Sequence, residues 1–162
     1  TLQLRIPSWA YKLKFKLNGQ PFPVILPAGR FNTPTACGYD PREAQYLPIH
    51  HTWQVGDQLE MTMEMPILLQ HPHPKVKSCR GKVAVTRGPL VYCLEAVDNP
   101  DVDLFSTILD SKTLRTEFNK KLMGGITVLK GSSTNGEALT FIPYAWWANR
   151  DPGGMTVYVG AE

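Results

Sequence analysis

Apolar and polar residues alternate one by one along much of this chain. Leu2, Leu4 and Ile6 alternate with Gln3 and Arg5, and Leu13, Phe15 and Leu17 alternate with Lys12, Lys14 and Lys16. Successive side chains of a strand point to opposite faces, so a period of two predicts half-buried strands. Asn18-Gly19 tolerates the positive φ angles of a tight hairpin, and Pro21 to Leu26 is expected to fold back as another strand. After a looser stretch from Pro27 to Pro41, "YLPIHHTW" predicts a strand that carries His50 and His51 on opposite faces. "VGD" then turns into "QLEMTMEMPILLQ", where Leu59, Met61, Met63 and Met65 share one face and Gln58, Glu60, Thr62 and Glu64 the other.

The pattern breaks at "HPHPKVKS", where two prolines in three residues remove ladder donors and predict a linker or sheet crossing. "KVAVTR" and "PLVYCLEAV" follow as two strands around a bend at Gly88-Pro89. Both faces of the second are mainly apolar, which predicts a central strand covered on two sides. Residues 99 to 121 are polar and irregular, with one extended piece near Leu114 to Phe118 and a weak helical alternative over "DSKTLRTEFNKKLM". Three glycine-marked turns then lead into "ITVLKG", "ALTFIPYAWWA" and "MTVYV". Many short strands at regular spacing predict an all-β protein with little or no helix. The expected architecture is two packed antiparallel β-sandwiches of jelly-roll or immunoglobulin-like type. The first covers residues 1–70 and is N-terminally truncated; the second covers 71–162.

Composition agrees with that class: 162 residues, 43% hydrophobic, with 14 prolines and 13 glycines to punctuate strands. A net charge of +3 with scattered lysines gives no basic patch, and no apolar run approaches the roughly 18 residues of a membrane span. Neither nucleic acid nor membrane is therefore expected as a partner. Cys37, Cys79 and Cys93 stand in no C-x-x-C spacing and are expected to be free thiols. Free thiols lean toward a reducing, cytoplasmic compartment and otherwise leave localisation open.

Reactive residue types are present, but their spacing gives them little chemistry. Glu60 and Glu64 share a strand face about 13 Å apart, beyond the separation of about 5 to 10 Å of a glycosidase carboxyl pair. His71 and His73 lack accompanying metal ligands, and "DNPDVD" lacks the spacing of a calcium loop, so a solvated turn is expected there. Trp146 and Trp147 are adjacent on an expected strand, which sends one ring inward and one outward. An outward Trp can stack on a sugar or cover a neighbouring domain.

A set of motifs in fixed order is more specific. "LRIPSWA", "YLPIHHTWQVGDQLEM", "GKVAVTRGPLVYCLEAVDN", "LMGGITVLKG" and "IPYAWWANRDPGGMTVYV" together resemble the C-terminal part of the β-L-arabinofuranosidase-type glycoside hydrolases. The resemblance implies a parent with an N-terminal (α/α)6 barrel that hydrolyses β-L-arabinofuranosyl linkages with retention. That barrel would hold a zinc-bound cysteine nucleophile and a glutamate acid/base. No cysteine here matches the family's clustered active-site cysteines, so no catalytic residue and no cofactor is assigned to this chain; zinc is expected in the catalytic domain. The expected role is support of that domain, with a tendency to homodimerise through an exposed sheet edge and carbohydrate binding as the alternative. Candidate binding or domain-interface residues are Arg87, Glu95, Tyr144, Trp146, Trp147 and Arg150.

Overall fold

The computed structural model describes residues 1–7, 9–25 and 45–161. Strands dominate, and the chain separates into two compact units, Thr1–Pro66 and Ile67–Glu162. The expected sandwich over residues 1–70 thus ends four residues early. Ile67–Gln70 hydrogen-bonds to Lys82–Arg87 and belongs to the second unit.

In the first unit, β1 (Leu2–Ile6) pairs antiparallel with β4 (Gln45–Ile49). A three-stranded sheet is formed by β2 (Tyr11–Leu17), β3 (Gln20–Pro21) and β5 (Leu59–Glu64), in the order β3-β2-β5. Period-two alternation decides what is buried. Phe15 enters a core with Ile6, Ala10, Leu47 and Ile49, while Leu59, Met61 and Met63 pack against it from β5. Lys12, Lys14 and Lys16 stay in water. Asn18 and Gly19 both have positive φ, 50° and 77°, as a two-residue hairpin requires.

The returning strand is only two residues long, not the expected run to Leu26. Pro21 and Pro23 carry no N–H, so the ladder cannot propagate. Leu26 and the Pro27–Pro41 stretch, with Cys37, lie outside the described residues. β4 likewise stops at Ile49, and His50 and His51 are not in a strand. The His51 ring instead sits edge-on to Phe22 and Trp53. Asp57 ties the hairpin to the next turn. It accepts from the Asn18 amide at 2.8 Å and from the Gln54 N–H at 2.8 Å. Those two bonds, the Asn18 one foremost, hold its carboxyl below the usual range.

The second unit differs from a pair of separate sheets. Its strands are β6 (Ile67–Gln70), β7 (Lys82–Arg87), β8 (Leu90–Glu95), β9 (Ile108–Asn119), β10 (Ile126–Ser133), β11 (Ala138–Pro143), β12 (Met155–Thr156) and β13 (Tyr158–Ala161). The pairings run β8-β11-β10-β9-β13-β7 and return to β8, so six strands close into a barrel. β6 extends from β7, and β12 from β8. Closure depends on β13, which enters between β7 and β9 and is parallel to β9. The approach is close at Gly160: a Cβ there would lie 2.8 Å from the Thr107 carbonyl oxygen. A side chain at this position would push the two strands apart.

The barrel interior is filled by Val83, Val85, Tyr92, Leu94, Leu104, Leu109, Leu129, Leu139, Phe141 and Val159. Cys93 points the other way, into a smaller cluster with Ile126, Val128 and Ile142. β8 is therefore covered on both faces from Tyr92 onward, as its apolar alternation implies. Gly88-Pro89 forms the β7–β8 turn, with Gly88 at φ 55°. The polar stretch after residue 107 is one twelve-residue strand, β9, and contains no helix.

Candidate functional site

Five of the six candidate residues gather around one loop of the second unit. β11 ends at Pro143, and the chain enters a 3₁₀ turn over Tyr144–Trp146. The expected strand placement of Trp146 and Trp147, one ring in and one out, is thus corrected. Both rings are exposed, at 42% and 41%, together with Tyr144 at 44%. Tyr144 and Trp147 stack, with centroids 5.8 Å apart and planes 17° from parallel. A one-turn helix brings residues three apart onto one side, which an alternating strand cannot do.

The loop is fastened to the end of β8 by buried charge. β8 finishes at Glu95, and a 3₁₀ turn over Ala96–Asp98 brings Asp98 round beside it. Arg150 inserts its guanidinium between the two carboxylates. Nη2 donates to Glu95 Oε2 at 2.6 Å and to Asp98 Oδ2 at 2.5 Å, and Nη1 donates to Asp98 Oδ1 at 2.6 Å. The Asp98 contacts use both carboxylate oxygens, the fork geometry that favours arginine over lysine. These bonds, those to Asp98 first, raise the Arg150 pKa above its already high ordinary value. Glu95 Oε1 accepts the Ala148 N–H at 3.0 Å, so both carboxylate oxygens of Glu95 are engaged.

Neighbouring bonds fix the rest of the loop. Asn149 donates its amide to the carbonyls of Trp146 and Trp147. The Ala96 N–H donates to the Gly154 carbonyl at 2.9 Å. Asn99, almost wholly buried, donates to the Glu95 and Thr140 carbonyls and accepts from the Thr140 N–H. Beside the clasp lies a cleft of about 300 Å³ lined by Glu95, Trp147, Ala148, Arg150, Asp151, Pro152 and Gly153.

Arg87, the sixth candidate, stands elsewhere. It sits at the far end of β7, by the hairpin turn, beside the Tyr92 phenol. Burial raises the Tyr92 pKa and the adjacent guanidinium opposes the rise. The Tyr92 hydroxyl donates to the Thr127 carbonyl at 3.1 Å. Asp98 is the site residue that sequence reasoning missed. "DNPDVD" reads as a solvated turn, yet the Asp98 side chain is only 13% exposed. The available signal was the three-residue spacing from Glu95, which one 3₁₀ turn converts into a carboxylate pair.

The other reactive types are engaged in structure. Glu64 pairs with Lys12 at 3.2 Å, and Glu60 lies opposite Lys16 in the ladder. His73 Nδ1 accepts the Lys75 N–H. Among the described residues no three His, Cys, Asp or Glu side chains converge as metal ligands. Cys93 is fully buried, and its thiol is pushed up to about 12, mainly by burial and then by the negative charges of Glu95 and Asp98. Such a thiol is protonated at neutral pH and is neither a nucleophile nor a zinc ligand as it stands.

Cys93 also gives a signed pH dependence. Its folded pKa lies above the roughly 8.5 of an unfolded thiol, so the neutral form favours folding. That stability is fully present below the unfolded value and is lost as pH rises from there toward about 12. Alkaline unfolding curves of Cys93→Ala are expected to fall less steeply in this window than those of the parent. In the folded protein at pH 8, an alkylating reagent mapped by peptide mass is expected to label Cys79 and spare Cys93. Rapid labelling of Cys93 would contradict the burial.

Comparison with known proteins places these features. Residues 67–160 match the glycoside hydrolase family 127 C-terminal domain. Residues 1–65 match the β-L-arabinofuranosidase, GH127 middle domain. A non-reducing end β-L-arabinofuranosidase of Bifidobacterium longum subsp. longum is 30% identical over 96% of this chain and 25% of its own length. The crystal structure of a GH127 β-L-arabinofuranosidase from Geobacillus stearothermophilus T6 superposes with a TM-score of 0.75 at 29% identity, over 99% of this chain and 26% of the other. A second solved GH127 β-arabinofuranosidase gives 0.71 at 26% identity, over 99% and 25%. The chain spans about a quarter of the length of these relatives.

Proposed function

The chain belongs to glycoside hydrolase family 127, matching its middle and C-terminal domains, and from that premise we propose that it is the supporting, non-catalytic part of a larger glycoside hydrolase. The observation that carries this reading is the pair of domain matches, consecutive and nearly end to end, against relatives about four times as long. The larger polypeptide would hydrolyse β-L-arabinofuranosides, and a separate catalytic domain would carry the reaction. The zinc expected for that reaction, which would hold a cysteine sulfur as thiolate, does not fit the donors here. Cys93 is buried and protonated, and no three ligands converge among the described residues.

What these units contribute is a rigid surface. The barrel joins six strands in a closed ring of pairings, with β6 and β12 added to it from β7 and β8. The arginine clasp holds three exposed aromatic side chains on a fixed loop. Arg87, at the other end of β8, is proposed as a separate contact point for a neighbouring domain.

The test compares the full-length polypeptide with a version lacking residues 1–162. Loss of a domain contact of standard size, on the order of 1,600 Å² in total, is expected to lower the unfolding midpoint of the remainder by several degrees and to reduce turnover. A remainder equally stable and equally active would contradict the supporting role.

A further inference from the structure

We propose that the cleft beside Trp147 is a binding site for a single neutral sugar residue. This goes beyond the supporting role and stands or falls separately from it. The first ground is pre-organisation. Ala148, next to Trp147, holds φ 60°, a left-handed conformation unfavourable for a residue with a Cβ. The Glu95 carboxylate holds it there by accepting its N–H, and Arg150 fixes that carboxylate. Asn149 satisfies the carbonyls of both tryptophans. A backbone held in an unfavourable conformation by buried charge presents a side chain in one place, which lowers the entropy lost when something binds.

What is presented has the chemistry of sugar recognition. Tyr144 covers one face of the Trp147 indole, and the ring also forms a wall of the cleft. An indole face complements the C–H face of a sugar ring, whose edge carries hydroxyls. Those hydroxyls need hydrogen-bond partners, and Asp151 lines the same cleft. Glu95 and Asp98 spend their oxygens on Arg150 and Ala148. Asp151 makes no hydrogen bond or ion pair among the described residues and can accept from a pair of hydroxyls.

Charge and donor geometry argue against an anion or a metal in the cleft. An anion would meet the Asp151 carboxylate, while the Arg150 fork is already used. A bound metal would need three converging donors, which the described residues lack. The cleft is concave, with a mixed polar and apolar lining, and holds about 300 Å³. That volume is at the small end for ligand pockets, about 300–1,000 Å³, and suits a single sugar ring.

The test titrates methyl β-L-arabinofuranoside and, as a six-membered-ring probe, methyl β-D-galactopyranoside into the 162-residue chain. Tryptophan fluorescence and ligand-observed NMR are the readouts. A saturable response to at least one glycoside is expected, with Kd on the order of 1 mM. Trp147→Ala should weaken it at least about tenfold and Asp151→Asn about three- to tenfold. Phe118→Ala, which removes an exposed aromatic on β9, should leave it unchanged. Circular dichroism identical to the parent establishes that each variant is folded. No saturable response to either glycoside, or a response that survives Trp147→Ala, would overturn the proposal. So would a Trp147 signal that is buried and insensitive to both glycosides in the full-length polypeptide, since the cleft would then be a domain contact.

Discussion

Arg150→Ala is expected to destabilise the second unit by about 3–5 kcal/mol, among the largest effects available to a single substitution in this chain. The cause is less the loss of attraction than the charges left behind. The Glu95 and Asp98 side chains are only 6% and 13% exposed, and both would lose their cationic partner. A carboxylate stranded away from water retains its desolvation penalty without compensation. For a unit of this size the midpoint should fall by more than about 10 °C. Arg150→Lys keeps the charge but cannot reproduce the three short bonds, and an intermediate loss is expected. A loss below about 1 kcal/mol for Arg150→Ala at pH 7 would mean the clasp behaves as a surface ion pair.

Phe141→Ala is expected to be comparably severe, at about 3–5 kcal/mol, for a different reason. Phe141 is 1% exposed and lies on β11, opposite Leu94 of β8 on one side and Leu129 of β10 on the other. All three side chains are buried in the barrel interior. Truncation removes a large apolar group from water exclusion and leaves a void that a closed ring of hydrogen-bonded strands cannot collapse to fill. The urea midpoint should fall with little change in slope, since the surface exposed on unfolding is almost the same. Phe141→Leu retains most of the volume and should lose less than half as much. Trp147→Ala, at the surface, should lose only about 1 kcal/mol, chiefly its stacking on Tyr144.

The contrast between these two positions also explains what could be read from sequence. Strands with one wet and one dry face announce themselves: Lys12, Lys14 and Lys16 against Leu13, Phe15 and Leu17 leave no other register for β2. The Tyr92–Leu94 stretch was legible as a doubly covered strand because both its faces are apolar. β9 was not legible as one long strand. Most of it from Ser111 onward is exposed on both faces, so its hydrogen bonds to β10 and not a hydrophobic period define it. Barrel closure was hidden for a related reason. β13 meets β7 and β9 through contacts between residues some 50 to 80 positions apart, and nothing local in "TVYV" specifies a parallel partner.

Sequence reasoning picked out Glu95, Tyr144, Trp146, Trp147 and Arg150 as residues, while their geometry came only with the fold. The run "ALTFIPYAWWA" looks like one continuous strand because its apolar residues do not stop at Pro143. The chain turns there, and the tryptophans leave the sheet. Asp98 escaped notice because carboxylates in a turn are usually solvated. Only the 52-residue separation from Arg150, closed by the fold, makes it part of the clasp.

Turnover by the chain alone is the most direct test of the claim that catalysis lies in another domain. An aryl β-L-arabinofuranoside incubated with residues 1–162, after chelator washing and repurification, is predicted to hydrolyse no faster than in buffer. Saturable hydrolysis that persists through repurification, and that disappears in a folded Glu95→Gln, Asp151→Asn or Cys93→Ala variant, would contradict the account.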